Sequence, residues 1–367
     1  MQTGLTSGAI DPTSVTEVGS GFQMFAMLLT LGLGPLSKPW RTSQMKKTLV
    51  ALAVLAASGA VMAQSSVTLS GSISVGVMDT GLAGATSAVT SLGGGANAIN
   101  IASVEDLGGG LKGGFDGQMR FNASTGDRNS AGTGNALFHN ANAYVGGGFG
   151  TVRIGKIAED SNCGFDPYGC TGGAGLIAGA AGTISGLIAA QTQASSLRYE
   201  STNLSGFTVR YQTTVSSRTN ERSVLNLSYA KGPVAVQYLQ SKSSLNVAGD
   251  VVGGTPAITD AAGKGTSVGA SYDLGVAKLA IFNAKTESAA GITTADITGL
   301  TAAIPMGAVT VLAGYAKDKK KATTADTKVG LGFNYPLSKR TTLGADMFKQ
   351  DAVGGGSGFV TRIRHTF

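Results

Sequence analysis

The stretch Gly358–Phe367, GFVTRIRHTF, alternates strictly: Phe359, Thr361, Ile363, His365 and Phe367 fall on one face, Val360, Arg362, Arg364 and Thr366 on the other. Successive residues of a strand point to opposite sides of its sheet. The stretch therefore predicts a strand with one mostly apolar or aromatic face and one face carrying two arginines. A tilted strand of about ten residues is the length that crosses a bilayer. A strand in a soluble sandwich would alternate in the same way, so the decision rests on recurrence of the pattern and on export.

The pattern recurs. Alternation and turn residues predict strands at Val67–Val77, Asn97–Glu105, Leu111–Phe121, Ala136–Val145, Thr151–Ile157, Ser196–Ser201, Phe207–Thr214 and Arg222–Ala230. Further strands are predicted at Val234–Ser241, Thr266–Asp273, Val276–Lys285, Asp296–Ile304, Ala308–Lys317, Lys328–Tyr335 and Thr341–Gln350. With the last stretch this makes about sixteen, an even number, as in bacterial outer-membrane barrels. Short turns such as Lys231-Gly232-Pro233 alternate with longer polar loops, and in a barrel the short set faces the periplasm. Tyr199, Phe207, Tyr211, Tyr229, Tyr238, Tyr272, Tyr315, Phe333 and Tyr335 sit near strand ends on the apolar faces, where interfacial girdles would put them. The fold class read from this is all-β, a transmembrane antiparallel β-barrel.

Export is written upstream. Met45, Lys46 and Lys47 open a basic segment, Leu49–Ala57 is an apolar run, and Val61-Met62-Ala63 is a small-residue cleavage site before Gln64, the pattern of a secretory signal. Residues 45–63 are read as signal peptide and 64–367 as the barrel. Two readings of residues 1–44 remain: a mis-set start upstream of Met45, or an extended leader in which the apolar segment Gly21–Leu36 takes part.

Charge and composition narrow the function. The chain carries 28 Lys+Arg against 21 Asp+Glu, a net +7, with 42% hydrophobic residues and 56 glycines. Residues 1–63 hold four bases (Lys38, Arg41, Lys46, Lys47) and two acids (Asp11, Glu17), which leaves the rest near +5. So mild an excess does not call for nucleic acid. Outside the N-terminal region no stretch approaches the roughly twenty apolar residues of a spanning helix. His139 and His365 are the only histidines, and neither has an Asp or Ser partner at a spacing that suggests an active barrel enzyme. The glycine clusters Gly108–Gly110 and Gly146–Gly148 match no phosphate-cradling motif. No Cys/His array suggests a metal, and no cofactor is expected.

Several stretches resemble the Gram-negative general porin family of β-proteobacteria. They are Val67-Thr68-Leu69-Ser70-Gly71, Glu105-Asp106-Leu107-Gly108-Gly109-Gly110-Leu111-Lys112, Ala143-Tyr144-Val145-Gly146 with Phe149-Gly150-Thr151-Val152, and Leu197-Arg198-Tyr199-Glu200-Ser201 with Ser205-Gly206-Phe207. Ala270-Ser271-Tyr272-Asp273, Leu337-Ser338-Lys339-Arg340-Thr341 and the closing Arg364-His365-Thr366-Phe367 complete the set, spread from Gln64 to Phe367. The resemblance implies a homotrimer in outer-membrane lipid, with the third external loop folded into the lumen. It also implies a water-filled channel for ions and small hydrophilic solutes. The terminal strand, with Phe359, Ile363 and Phe367 on its lipid face, would be read by the barrel-assembly machinery.

The insert Ala158–Ala194 stands where that third loop should lie; a loop left outside the barrel is the alternative. It contains Cys163 and Cys170, for which a disulfide and two free thiols are both open in an oxidising compartment. A pore needs a polar lumen and a charged constriction rather than reaction chemistry. Strand parity places Lys112, Asp116, Arg120, Arg198, Glu200, Arg210, Arg362 and Arg364 inside, and Arg153 if its strand alternates strictly. Glu159, Asp160 and Asp166 would line the loop opposite, giving a transverse field. Rim or trimer-contact positions are the alternative for several of these. Family members resembling this chain carry bases at the positions of Ala98, Ala102 and Ala141, and an arginine at Lys156. The expectation is a wider or less anion-selective pore that relies on Arg120 and Arg198. A barrel adhesin with a plugged lumen is the competing reading, and predominance of Gly, Ser and Thr on inward faces argues against it.

Overall fold

The computed structural model describes residues 65–79, 81, 86–92, 97–128, 137–158, 168, 192–215, 222–243, 263–320, 327–350 and 356–367. The leader segments 1–44 and 45–63, Glu159, Asp160, Cys163, Asp166 and Cys170 lie outside the described residues.

Seventeen strands form one sheet, each antiparallel to its neighbours. In chain order they are β1 (Ser66–Asp79), β2 (Ala88–Ser91), β3 (Ala98–Gly108), β4 (Leu111–Arg120), β5 (Asn140–Gly147), β6 (Gly150–Ala158), β7 (Thr192–Glu200), β8 (Phe207–Thr214) and β9 (Arg222–Lys231). Then follow β10 (Val234–Ser243), β11 (Gly263–Asp273), β12 (Lys278–Ser288), β13 (Thr293–Met306), β14 (Val309–Asp318), β15 (Thr327–Pro336), β16 (Thr341–Gln350) and β17 (Ser357–Thr366). Setting aside the four-residue β2 leaves a closed barrel of sixteen strands.

Closure is made by β17 against β1, from Ser72↔Thr366 to Asp79↔Phe359. Gly71 and Phe367 extend it with reciprocal backbone bonds of 2.9 and 3.0 Å. The Phe367 ring lies where a side chain on residue 71 would project, so only glycine fits there. Tight turns join the strands at one end, with left-handed glycines such as Gly232 (φ 59°) and Gly307 (φ 64°) closing them without a Cβ clash. The longer connections gather at the other end.

The distribution of polarity inverts that of a soluble protein. Val67 is 75% exposed and Leu331 58%, whereas Asp346 is 1% and Arg362 5% exposed. Along β17 exposure alternates residue by residue, with Phe359, Ile363 and Phe367 outward and Val360 and Arg362 inward.

Three details differ from the sequence reading. The strand expected from Ala136 begins at Asn140, the one expected at Val276–Lys285 runs Lys278–Ser288, and β2 arises in a stretch read as loop. Bulky apolar residues also occur on the inner wall. Val224, Leu239, Phe282, Ile297 and Leu312 are buried there in one cluster with Tyr168, so Gly, Ser and Thr do not account for all of it.

Nitroxide labels at Ile281→Cys and Thr208→Cys, in a background lacking Cys163 and Cys170, should report hydrocarbon and water respectively. Equal accessibility of both to a water-soluble relaxer would contradict the inverted barrel.

Candidate functional site

The lumen wall of β3 to β8 is built by strict alternation. The register sets Ala98 opposite Arg120, Asn100 opposite Gln118, Ala102 opposite Asp116 and Asp106 opposite Lys112, all in the inward row. Asp116 stands opposite Asn142, Arg153 opposite Arg198 and Thr151 opposite Glu200, and Glu200 opposite Arg210. Thus Lys112, Asp116, Arg120, Arg153, Arg198, Glu200 and Arg210 share one face.

Their charges are arranged as a zipper along that face. Arg153 pairs with Asp116 through Nη1 and reaches Glu200 Oε1 with Nε at 3.3 Å. Arg198 Nη1 approaches the same Oε1 at 3.4 Å. Like charges directly opposite on neighbouring strands repel, and here the Glu200 carboxylate lies between the two opposed guanidinium groups. Arg198 further donates to Gln212 Oε1 (2.9 Å) and to the Ala158 carbonyl (2.7 Å). Arg153 packs over the Tyr144 ring, 4.7 Å from its centroid, a cation–π contact.

Arg120 is held differently. Its Nε donates to Gln118 Oε1 at 2.7 Å, and Gln118 in turn donates to Asn100 Oδ1 at 2.9 Å. Among the described residues Arg120 has no carboxylate partner, so its charge is not neutralised locally. Ala141 does not belong to the lumen row. It stands opposite Gly117 and Lys156, in the outward register of Ala143 and Val145, and a base at 141 would not face the lumen. Lys156 instead donates to the Phe138 carbonyl at 2.9 Å.

A second polar site lies across β15 to β17. Arg362 pairs with Asp346 and donates to Asn334 Oδ1. Tyr168 donates its hydroxyl to Asp346 Oδ1 at 3.0 Å. A side chain at Gly332 would collide with the Asp346 carboxylate, and one at Gly344 would come within 2.6 Å of the Arg362 guanidinium. The two glycines thus leave a floor on which the pair lies flat. Tyr168 belongs to the insert between β6 and β7, and its burial in the inner-wall cluster brings that point of the insert inside the barrel. The sequence reading named Arg362 but missed Asp346, Asn334 and Tyr168. The available signal was inward parity of Asp346 beside Gly344.

His139, just outside β5 at the long-loop end, has its pKa lowered to about 3, first by burial and then by Arg120 and Lys156.

A closed sheet with an apolar exterior and a charged, hydrogen-bonded interior defines a membrane-spanning β-barrel of the pore-forming class. A profile of Gram-negative porins matches residues 48–352. The outer membrane porin protein 32 of Delftia acidovorans is 32% identical over 332 residues, covering 82% of this chain and 88% of that protein. An anion-selective porin from Comamonas acidovorans superposes with a TM-score of 0.64 at 23% identity, over 83% of this chain and 100% of the other. The trimer form of OmpT, an outer membrane protein of Vibrio cholerae, gives 0.60 at 16% identity, over 83% and 99%. The chain belongs to the Gram-negative porin family and is an outer-membrane porin channel.

Asp346→Ala should destabilise the barrel by about 3–5 kcal/mol, since it strands the buried Arg362 charge. Tyr168→Phe should cost less, about 1.5–3 kcal/mol for one bond to a charged acceptor. Urea titration of detergent-folded protein reads both, and the paired change Asp346→Leu with Arg362→Met should recover most of the loss.

For His139 the unfolded chain takes up its proton near the usual 6.5 while the folded barrel resists until about 3. Its contribution therefore makes stability fall as pH drops through that interval. His139→Gln should flatten this part of the pH–stability curve.

Proposed function

We propose that the channel is weakly anion-selective and passes ions and small hydrophilic solutes by diffusion, without covalent chemistry. The observation that carries this reading is Arg120, the lumen guanidinium whose polar partner among the described residues is the neutral Gln118. Lys112, Arg120, Arg153, Arg198 and Arg210 outnumber Asp106, Asp116 and Glu200 on the wall of β3 to β8, so the balance is positive there. Excess fixed charge of one sign raises the local concentration of counter-ions in a bore with low-dielectric walls. Arg198 counts for less than Arg120, because Glu200, Gln212 and the Ala158 carbonyl already hold it.

The insert between β6 and β7 is taken as the constriction loop, with Tyr168 as its foothold on the wall; Glu159, Asp160 and Asp166 would face the bases from it. A trimer is the assembly proposed, by analogy with the trimer form of OmpT. Residues 45–63 are taken as the export signal, so protein recovered from outer membranes should begin at Gln64 on N-terminal sequencing.

In planar bilayers under a salt gradient, Arg120→Gln should move the reversal potential toward cation preference by more than Arg198→Gln does. Glu200→Gln should move it the opposite way. An unchanged potential in Arg120→Gln would remove the arginine-dominated account.

A further inference from the structure

The outward face also carries charge, at one place. On β10 and β11 the outward rows run Tyr238 opposite Val268, Gln240 opposite Thr266, and Lys242 opposite Lys264. The two lysines are exposed and stand at the end where the long connections lie. Directly opposed strand residues have Cβ atoms about 5 Å apart, and like charges in such pairs destabilise the sheet. Lys242 has Ser223 on its other side, and so no acid flanks it in register.

The neighbourhood extends the excess. Lys285 lies opposite Thr266, and Glu287 opposite Lys264. Glu287 is engaged by Lys285, at 2.8 Å. Asp296 stands opposite Lys285, and Lys317 stands opposite Thr298. Four lysines thus face two acids on the exterior of β10 to β14. The lumen cannot use them, since they are on the wrong side of the wall. They sit directly above the apolar row of Val236, Val268, Ile281 and Leu300, and four residues of strand, about 13 Å, separate Val268 from Lys264.

We propose that this lysine patch binds the phosphate groups of a lipid in the outer leaflet, with Lys242 and Lys264 closing on one phosphate as a pair of donors. A phosphate monoester supplies up to two negative charges and three acceptor oxygens, which turns the opposed lysines from a repulsive pair into a clamp. A soluble anion fits less well, because the patch is continuous with the surface that acyl chains cover. The inference rests on the outer-membrane channel, with its long loops outward.

The test uses the full-length processed protein in detergent, probed with bisphosphorylated lipid A and with dephosphorylated lipid A, counting lipid retained by native mass spectrometry. Wild type should retain the phosphorylated lipid selectively, and Lys242→Gln with Lys264→Gln should bind it about thirtyfold more weakly, the size expected for two lysines at an anionic lipid surface. Lys231→Gln, which removes an outward lysine at the short-turn end, should bind as wild type does. Single-channel conductance of the double variant should be unchanged, which separates a failed lipid site from a failed channel. Equal retention by wild type and the double variant would overturn the proposal, as would equal retention of dephosphorylated lipid. An equal loss in Lys231→Gln, or complete displacement by excess inorganic phosphate, would also overturn it.

Discussion

Hydrocarbon offers no partner to a backbone N–H or C=O, so a sheet that crosses a membrane has to close on itself. The first strand carries most of that demand. β3 pairs with β1 only from Ser66 to Ser72, and β17 takes the opposite edge from Ser72 to Asp79. Beyond Ser72 the first edge would be open, and β2 fills it between Val75 and Met78. A four-residue strand that looks incidental in sequence is therefore explained by the closure. It completes the ladder on a strand flanked by the two ends of the chain's path around the barrel.

Once the sheet is closed, the alternation of side chains has only two destinations, and this is why the fold was legible. Phe359 and Ile363 point to lipid and Arg362 to the interior because the strand period admits nothing else. Partner choice was not legible, because it depends on register between strands rather than on order within one. Arg153 and Arg198 both read as lumen arginines, yet only the pairing of β6 with β7 brings them face to face and makes Glu200 their shared acceptor. Asp346 was equally inward by parity. Its meeting with Arg362 needed the register of β16 and β17 and the bare backbone at Gly332 and Gly344.

The inner wall also departs from the simple expectation of a polar bore. Leu239, Phe282, Ile297 and Leu312 would be costly facing water. They are buried, in a cluster that includes Tyr168 from the insert. Resemblance pointed to an inward loop. What alternation could not reveal is that one sector of wall is apolar because it packs rather than conducts. The working lumen is thereby biased toward the sector of β3 to β8, where the charged residues lie.

In that sector the number of bases is a poor guide to the field an ion meets. Each guanidinium tied to a carboxylate contributes a dipole, which decays faster with distance than a charge left uncompensated. Ala98 stands opposite Arg120 and Ala102 opposite Asp116. A base at 98 would set a like charge against Arg120, and a base at 102 would compete with Arg153 for Asp116. The alanines therefore do more than delete charge. They leave Asp116 to Arg153 and leave Arg120 uncompensated beside a neutral glutamine, so the selectivity proposed for this pore turns on one side chain rather than on a ladder.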